Sequence, residues 1–294
     1  MPANVVELAA LLGVEPKPLA EMVADPLRHY HPVFIPKKTT GKRRIDVPTP
    51  ALKTAQRALL KYLSAKHSQR ACVYGFDSGH SIIENARYHA SGSYLLNVDI
   101  ADFFPSVHWS RVRRILSRHF REAALAAVLN LTTLHRSLPQ GAATSPLMAN
   151  EAVANLDTRL MGLARSEGLR YTRYFDDISL SSDSNVSRYE ELVATIIRQE
   201  GYRLNAKTTL YAPGEVRLIT GIEIWPDCSL HVPDESGLLR VIQDISARGL
   251  VALDDERVFK SRSSLAGKIA HVKAVNPPLG QAMQEAFCKI AWPD

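Results

Sequence analysis

The segment RYTRYFDDISLSS, residues 170–182, constrains the fold of this chain more than any other. It places Asp176 and Asp177 between two short runs of strand-forming residues, RYTRYF and ISLSS. Adjacent carboxylates repel each other, and neighbouring side chains of a strand point to opposite faces, so both can approach one target only at a tight turn. The segment therefore predicts a β-hairpin with an acidic turn.

A second acidic position follows the apolar run YLLNVD, which predicts a buried strand over residues 94–99. Carboxylate oxygens without nearby His or Cys favour Mg²⁺ over zinc. If the two strands are neighbours, Asp99 and Asp176 can bridge two magnesium ions about 3.5–4 Å apart, as in phosphoryl-transfer enzymes. An Asp-Asp pair is also typical of a solvated bend, and the pattern alone leaves that alternative open.

Helical signals surround these strands. Ser145 as the N-cap, followed by Pro146 at the first helical position, predicts a helix that continues through residue 163. Ser187 and Glu190 predict a capping box for a further helix. The order of elements predicts an α+β fold with helices on one face of a small antiparallel sheet, and a helical lobe from about residue 232 onward.

Positive charge is concentrated near the N-terminus. The whole chain has a formal net charge of +6. Residues 26–70 hold one acid, Asp46, and the following basic residues: Arg28, Lys37, Lys38, Lys42, Arg43, Arg44, Lys53, Arg57, Lys61, Lys66 and Arg70. Such a block attracts a polyanion, with nucleic acid as the first candidate, although a solvated basic face is the alternative.

Other features indicate the compartment. No apolar stretch approaches the roughly 18 residues of a membrane span, and the first residues, MPANVVELAALLGV, resemble an amphipathic helix rather than a signal peptide. Cys72, Cys228 and Cys288 are widely spaced and match neither a disulfide framework nor a zinc pattern. We therefore expect a cytoplasmic protein with no membrane partner.

Seven motifs occur in a fixed order along the chain. They are IPKKTTGKRRIDVPTPALKTAQ, YGFDSGHSIIENARYHA, VDIADFFPSV, LPQGAATSPLMAN, YFDD, LITGIEI and LAGKIAHVKAVNP. Together they cover roughly residues 28 to 276 and resemble the motifs of bacterial reverse transcriptases, most closely those of the retron type.

The resemblance implies a right-hand polymerase fold within the α+β class, with fingers, palm and thumb. It divides the chain into an N-terminal helical segment (1–27), fingers (28–93), a palm (94–231) that includes fingers elements around 110–142, and a helical thumb (232–294).

The resemblance also implies the catalytic groups. Asp99 and Asp176 are the expected main ligands of two Mg²⁺ ions, and Asp177 completes the acidic site. Lys207 matches a lysine that protonates departing pyrophosphate, although a lone solvated lysine is the alternative.

Nucleotide-binding residues follow from the same motifs. Phe104 matches the aromatic residue that stacks beneath the incoming sugar and excludes a 2′-hydroxyl, while Phe103 or Phe104 could instead belong to the core. Gln140 and Gly141 match a loop that approaches the nucleotide, where glycine permits close backbone contact.

The resemblance of IPKKTTGKRRIDVPTPALKTAQ to the fingers segment implies basic side chains that neutralise the nucleotide triphosphate. Arg43 and Lys37 match these positions, with Arg44 and Lys38 as their respective alternatives, and a guanidinium suits bidentate phosphate contact.

Two further pairs are expected to bind RNA or primer. Asn85 and His89 lie four residues apart on one helical face and match part of an RNA-recognising surface, with a hydrogen-bonded histidine in a packed interface as the alternative. Thr220 and Gly221 match a primer-binding turn. Phe175 departs from the family pattern, in which a small residue is usual at this position.

The implied activity is RNA-directed DNA synthesis from deoxynucleoside triphosphates. The partner is a structured noncoding RNA that serves as template and supplies a 2′-hydroxyl primer on a guanosine, which leaves a branched RNA–DNA product. Such systems act in defence against phage with a separate effector protein. The alternatives are another bacterial reverse transcriptase (group II intron, diversity-generating or phage-defence), an RNA-directed RNA polymerase and a non-catalytic RNA-binding scaffold.

Overall fold

The computed structural model describes residues 1–36, 41–76, 79–205, 208–248 and 262–292. Its helices are α1 (Val5–Leu12), α2 (Pro16–Ala24), α3 (Pro50–Ser64), α4 (Ile82–His89), α5 (Phe103–Ser106), α6 (Trp109–Leu116), α7 (Glu122–Thr132), α8 (Ser145–Ala152), α9 (Ala154–Glu167), α10 (Glu190–Gln199), α11 (Glu235–Arg248), α12 (Arg262–Val275) and α13 (Pro277–Cys288). Its strands are β1 (Tyr30–Pro36), β2 (Lys42–Pro48), β3 (Tyr94–Asp99), β4 (Arg170–Tyr174), β5 (Asp177–Ser182), β6 (Thr209–Tyr211), β7 (Arg217–Ile219), β8 (Ile222–Ile224) and β9 (Leu230–His231).

A four-stranded antiparallel sheet forms the centre, in the order β4-β5-β3-β6. The pairing of β4 with β5 leaves only Phe175 and Asp176 between the paired residues Tyr174 and Asp177. In the pairing of β3 with β5, Asp99 lies opposite Asp177. The predicted acidic hairpin and its neighbouring strand are therefore confirmed.

The two faces of this sheet are covered differently. Ile178 and Leu180 of β5 join the largest apolar core, which also includes side chains from α1–α3 and α6–α10. Ser179 and Ser181 alternate with them and point to the other face. Helix α4 packs there, with His89 hydrogen-bonded to Ser181. The sequence pattern indicated helices on one face only, because a polar contact surface carries no hydrophobic periodicity.

The β1–β2 hairpin is anchored on the loop before α8. The Asp46 amide of β2 donates a 2.8 Å hydrogen bond to the Gln140 carbonyl. Gly141 has φ +139°, and a Cβ there would lie 2.4 Å from the Asp46 carbonyl oxygen. The approach of β2 therefore requires glycine at this position.

The C-terminal helices have their own apolar cluster. Side chains of α11, α12 and α13 pack together around Ile242, Ile269 and Met283. A third cluster joins α4 to β7 and β8 through Ala86 and Ile222. Within the described residues, no helix is both long enough and apolar enough to cross a membrane.

Two helix predictions need correction. Thr144, rather than Ser145, occupies the N-cap position of α8, and the expected continuous helix is interrupted at Val153. The Tyr202 hydroxyl donates to the Ala152 carbonyl at this point (3.3 Å). The predicted capping box is also wrong, because residue 187 begins a short 3₁₀ turn and its amide donates to the Asn185 side chain.

We predict that Gly141→Ala lowers the free energy of unfolding by about 2 kcal/mol or more, because alanine combines an unfavourable φ with a backbone overlap. Gly162 is the matched control, since it lies exposed within α9 with nothing within 4 Å of an added Cβ. Gly162→Ala should raise stability by about 0.5–1 kcal/mol. Denaturant unfolding measures both, and equal effects would contradict the role of Gly141.

Candidate active site

The acidic turn and the end of β3 bring three carboxylates together. Asp99 and Asp177 are directly opposite in the antiparallel ladder, so their side chains share one face of the sheet. The Ile100 amide donates to the Asp176 carbonyl (3.1 Å), which fixes the turn against β3. The juxtaposition expected from the sequence is present.

Asn205 is a contact of this cluster that the sequence did not indicate. Its backbone amide donates to the Asp99 carbonyl (2.9 Å), and its side-chain amide donates to Asp99 Oδ2. The other oxygen, Asp99 Oδ1, is buried and has no hydrogen-bond partner within the described residues. A buried carboxylate oxygen without a partner is costly, and a bound cation would remove that cost.

The carboxylates of the turn have raised pKa values. Burial, followed by repulsion from Asp99, raises the pKa of Asp176 to about 6, and the nearby positive charge of Arg43 opposes the shift. Burial, followed by repulsion from Asp176 and Asp99, raises the pKa of Asp177 to about 7. Asp177 is more exposed than Asp176, and both neighbouring carboxylates act on its charge. Raised carboxyl pKa values mean that stability is lost as pH rises from about 4 through these values.

The donor set suits a hard divalent cation. It consists of carboxylate oxygens, one of them the unpaired Asp99 Oδ1. Asp99 and Asp176 also interact directly through their side chains. In the part of the chain that the structure describes, no three His, Cys, Asp or Glu side chains already form a metal-holding group. The chemistry of these donors therefore fits Mg²⁺, although the described side chains do not already form a complete coordination site.

A buried ion pair lies directly behind the acidic turn. Arg173 of β4 and Asp157 of α9 are both fully buried. The guanidinium donates from Nε to Asp157 Oδ1 (2.7 Å) and from Nη2 to Oδ2 (2.8 Å), a bidentate arrangement. The Tyr171 hydroxyl also donates to Asp157 Oδ1 (2.7 Å).

The same guanidinium holds the backbone of the turn. Arg173 Nη1 donates to the Phe175 carbonyl (2.9 Å) and to Asn150 Oδ1 (3.0 Å), and Asn150 Nδ2 donates to the Gly75 carbonyl (3.0 Å). Phe175 has φ +56°, an unfavourable value for a bulky residue. Contacts on several sides therefore maintain a strained turn.

Aromatic rings line the approach to the turn. The Phe175 ring centroid lies 6.2 Å from that of Phe104 and 5.6 Å from that of Phe76. Phe103 is buried, whereas Phe104 is half-buried. Of the two adjacent phenylalanines, Phe104 is thus the one with a surface available to a ligand.

The remaining candidates for nucleotide binding and catalysis differ in where they lie relative to the acidic turn. Arg43 lies on β2, close enough for its charge to lower the Asp176 pKa. The Arg44 side chain instead pairs with Asp46 (Nε to Oδ1, 2.8 Å). Lys37, its alternative Lys38, and Lys207 lie outside the described residues.

Asn85 and His89 share a face of α4, as their spacing predicted, but that face is buried. Thr172 Oγ1 donates to Asn85 Oδ1 (2.7 Å) and lies 2.8 Å from His89 Nε2. Since Thr172 has one hydroxyl proton, Nε2 is the donor in the second bond. Burial, with a smaller effect from Arg170 and Arg217, lowers the pKa of His89 to about 3. The packed interface is what the structure shows, rather than an exposed RNA-binding surface.

Thr220 and Gly221 form the two-residue turn between β7 and β8. Both have positive φ, +47° and +84°, and Thr220 Oγ1 is buried with no hydrogen-bond partner among the residues that the structure describes. Asn97 of β3 donates to the Leu218 carbonyl (2.7 Å), which ties this hairpin to the central sheet.

We predict that Asp157→Asn lowers the free energy of unfolding by about 3–5 kcal/mol, because it leaves the Arg173 charge buried without a counter-ion. The matched control is Glu191→Gln, which removes an exposed ion pair with Arg198 (2.9 Å) and should cost less than about 1 kcal/mol. Urea unfolding tests both, and a small effect of Asp157→Asn would contradict the assigned importance of the buried pair.

Comparison with known proteins extends these observations. A family model described as "Reverse transcriptase (RNA-dependent DNA polymerase)" matches residues 35–223. The chain is 33% identical to the Retron Mx65 reverse transcriptase of Myxococcus xanthus, covering 92% of this chain and 68% of that protein. It is 34% identical to the Retron Ec86 reverse transcriptase of Escherichia coli, covering 74% and 69%.

Among solved structures, one match is telomerase from Candida albicans in complex with a TWJ fragment of telomeric RNA. The TM-score is 0.49 and the identity 12%, covering 87% of this chain and 56% of that one.

The family model covers most of the chain, including the end of β3 and the β4–β5 turn, and the retron enzymes extend the similarity beyond it. The chain therefore belongs to the reverse transcriptase family and is an RNA-directed DNA polymerase of the retron type.

Proposed function

We propose that this polymerase copies a structured noncoding RNA that also supplies its primer, and so makes multicopy single-stranded DNA. The proposal rests on the convergence of Asp99, Asp176 and Asp177 in a chain similar to retron enzymes. A 2′-hydroxyl of a guanosine in the RNA starts synthesis, and the product is RNA joined to DNA by a branch. We further propose a role in defence against phage, with a separate effector protein.

In the proposed reaction, a primer hydroxyl attacks the α-phosphorus of a deoxynucleoside triphosphate. A new P–O bond forms to the primer as its hydroxyl releases a proton to solvent, the bond to pyrophosphate breaks, and Lys207 donates a proton to the leaving group. Asp99 and Asp176 would hold two Mg²⁺ ions with help from Asp177, and these ions supply stabilisation of the negative charge that develops.

Other side chains position the substrates under this proposal. Arg43, and Lys37 with it, neutralise the triphosphate, while Gln140 and Gly141 approach the nucleotide. Phe104 lies beneath the sugar. We further propose a division into fingers (28–93), palm (94–231) and thumb (232–294), in which the Thr220–Gly221 turn contacts the primer.

We predict that Asp176→Asn reduces DNA synthesis by about 100-fold or more while RNA affinity is retained, because a neutral amide cannot replace a charged metal ligand. Asp102→Asn is the matched control: Asp102 follows the same strand, is exposed and pairs with Arg203 (3.6 Å). Primer extension and RNA-binding assays measure the two activities, and sequencing of co-purified nucleic acid identifies the template. Retained synthesis in Asp176→Asn, or DNA that is not joined to RNA, would contradict the proposal.

We predict that Phe104→Ala increases incorporation of ribonucleotides relative to deoxynucleotides by about 10-fold, because the ring no longer excludes a 2′-hydroxyl. Phe104→Tyr retains the ring and should keep the wild-type preference. Single-nucleotide extension with each substrate gives the ratio. An unchanged ratio in Phe104→Ala would count against Phe104 as the sugar-selecting residue.

A further inference from the structure

A basic cleft lies between α3, α6 and α8, in a different place from the acidic turn. It consists of two cavities of about 280 and 390 Å³ that share Arg70, Ile115, Arg118 and Glu151 as lining residues. The lining comes from helices and from the segment after α3, whereas the catalytic aspartates lie at the end of β3 and in the β4–β5 turn.

The lining has an excess of positive charge. Its charged residues are Lys66, Arg70, Arg111, Arg114, Arg118, Glu151 and Glu200, so five cations face two carboxylates. His67 and His119 also line it. Burial, followed by the charges of Lys66 and Arg118, lowers the pKa of His119, which agrees with a positive local potential.

Both carboxylates already have partners within the protein. Glu151 Oε1 lies 2.6 Å from His67 Nδ1, and this hydrogen bond is the main cause of the lowered pKa of Glu151. Glu200 Oε1 accepts from Arg159 Nη1 (2.9 Å). The negative charge of ionised Glu151 repels an anion at the bottom of the cleft. An anionic ligand would therefore bind at the outer edge of the cleft, beside the cationic side chains.

The five cations divide into those that hold the wall and those available to a ligand. Arg70 belongs to the wall, because it donates to the Asn150 carbonyl (3.4 Å). Arg111 donates to the Tyr202 hydroxyl (2.7 Å) and to the Glu200 carbonyl, so it belongs to the wall. Arg114 and Lys66 are exposed, and the Arg118 side chain is 64% exposed while lying 3.8 Å from Glu151 Oε2. Three long cationic side chains therefore face solvent around one depression.

We propose that this cleft binds the phosphodiester backbone of the RNA at a site separate from the catalytic centre. The inference rests on the proposed function only in that RNA is the partner. Cations around a polar cleft suit phosphate contacts, which add affinity and orientation without reading sequence.

The test compares two double variants of the full-length protein that change the net charge equally. Arg114→Glu/Arg118→Glu alters the cleft. Arg113→Glu/Arg165→Glu is the control, because Arg113 lies on α6 outside the lining and Arg165 is exposed on α9. Binding of a short fluorescein-labelled RNA hairpin is measured by anisotropy over a range of salt concentrations.

We expect the cleft variant to bind the hairpin at least about 10-fold more weakly, and its log affinity to depend less steeply on log salt by about 1.5–2 units, as for two lost phosphate contacts. The control should lose much less affinity. Equal losses, or no loss in either variant, would overturn the proposal and leave the cleft to another class of ligand.

Two further measurements separate this proposal from the others. Thermal unfolding checks that both variants fold, and Arg114→Gln/Arg118→Gln replaces the glutamate variant if it does not. DNA synthesis on a homopolymer RNA template with a DNA primer reports the catalytic centre independently. Its absence in the wild type would contradict the proposed function without affecting the hairpin result.

Discussion

The bidentate contact between Arg173 and Asp157 is the interaction on which the geometry of the active site depends. A fully buried ion pair adds little net stability, because the desolvation of both charges offsets their attraction. The pair instead fixes the positions of neighbouring segments. The Arg173 guanidinium joins α9 to the Phe175 carbonyl. Through Asn150 it also connects to α8 and to residue 75. The turn that carries Asp176 and Asp177 is thereby held in place by contacts on its buried side.

These contacts matter because the carboxylates of the turn repel each other, which makes the turn electrostatically unfavourable. The pKa values of Asp176 and Asp177 are raised by burial and mutual repulsion, and Phe175 has a strained φ. Arrangements of this kind persist when the surrounding structure over-determines them. The large apolar core around the sheet supplies the stability that allows these charges to lie close together.

Sequence patterns predicted the parts of this site that depend on local structure. The hairpin and the strand that ends at Asp99 followed from strand patterns, the pairing of these strands was a condition that the structure meets, and the motifs implied their chemistry. Asn205 and Asp157 were not predicted, because a hydrogen bond between residues distant along the chain leaves no periodic signal. The spacing of Asn85 and His89 correctly placed them on one face, but spacing cannot tell whether that face meets solvent or the sheet.

Helix α8 connects the active site with the basic cleft. Asn150 points into the buried network behind the aspartates, whereas its neighbour Glu151 lines the cleft. Arg70, which lines both cavities, also donates to the Asn150 carbonyl (3.4 Å). Consecutive side chains of a helix point in directions about 100° apart. One short helix can therefore place one residue in the buried core and the next on the solvent-exposed wall of the cleft. The contacts that hold the turn are therefore packed against the wall of the cleft.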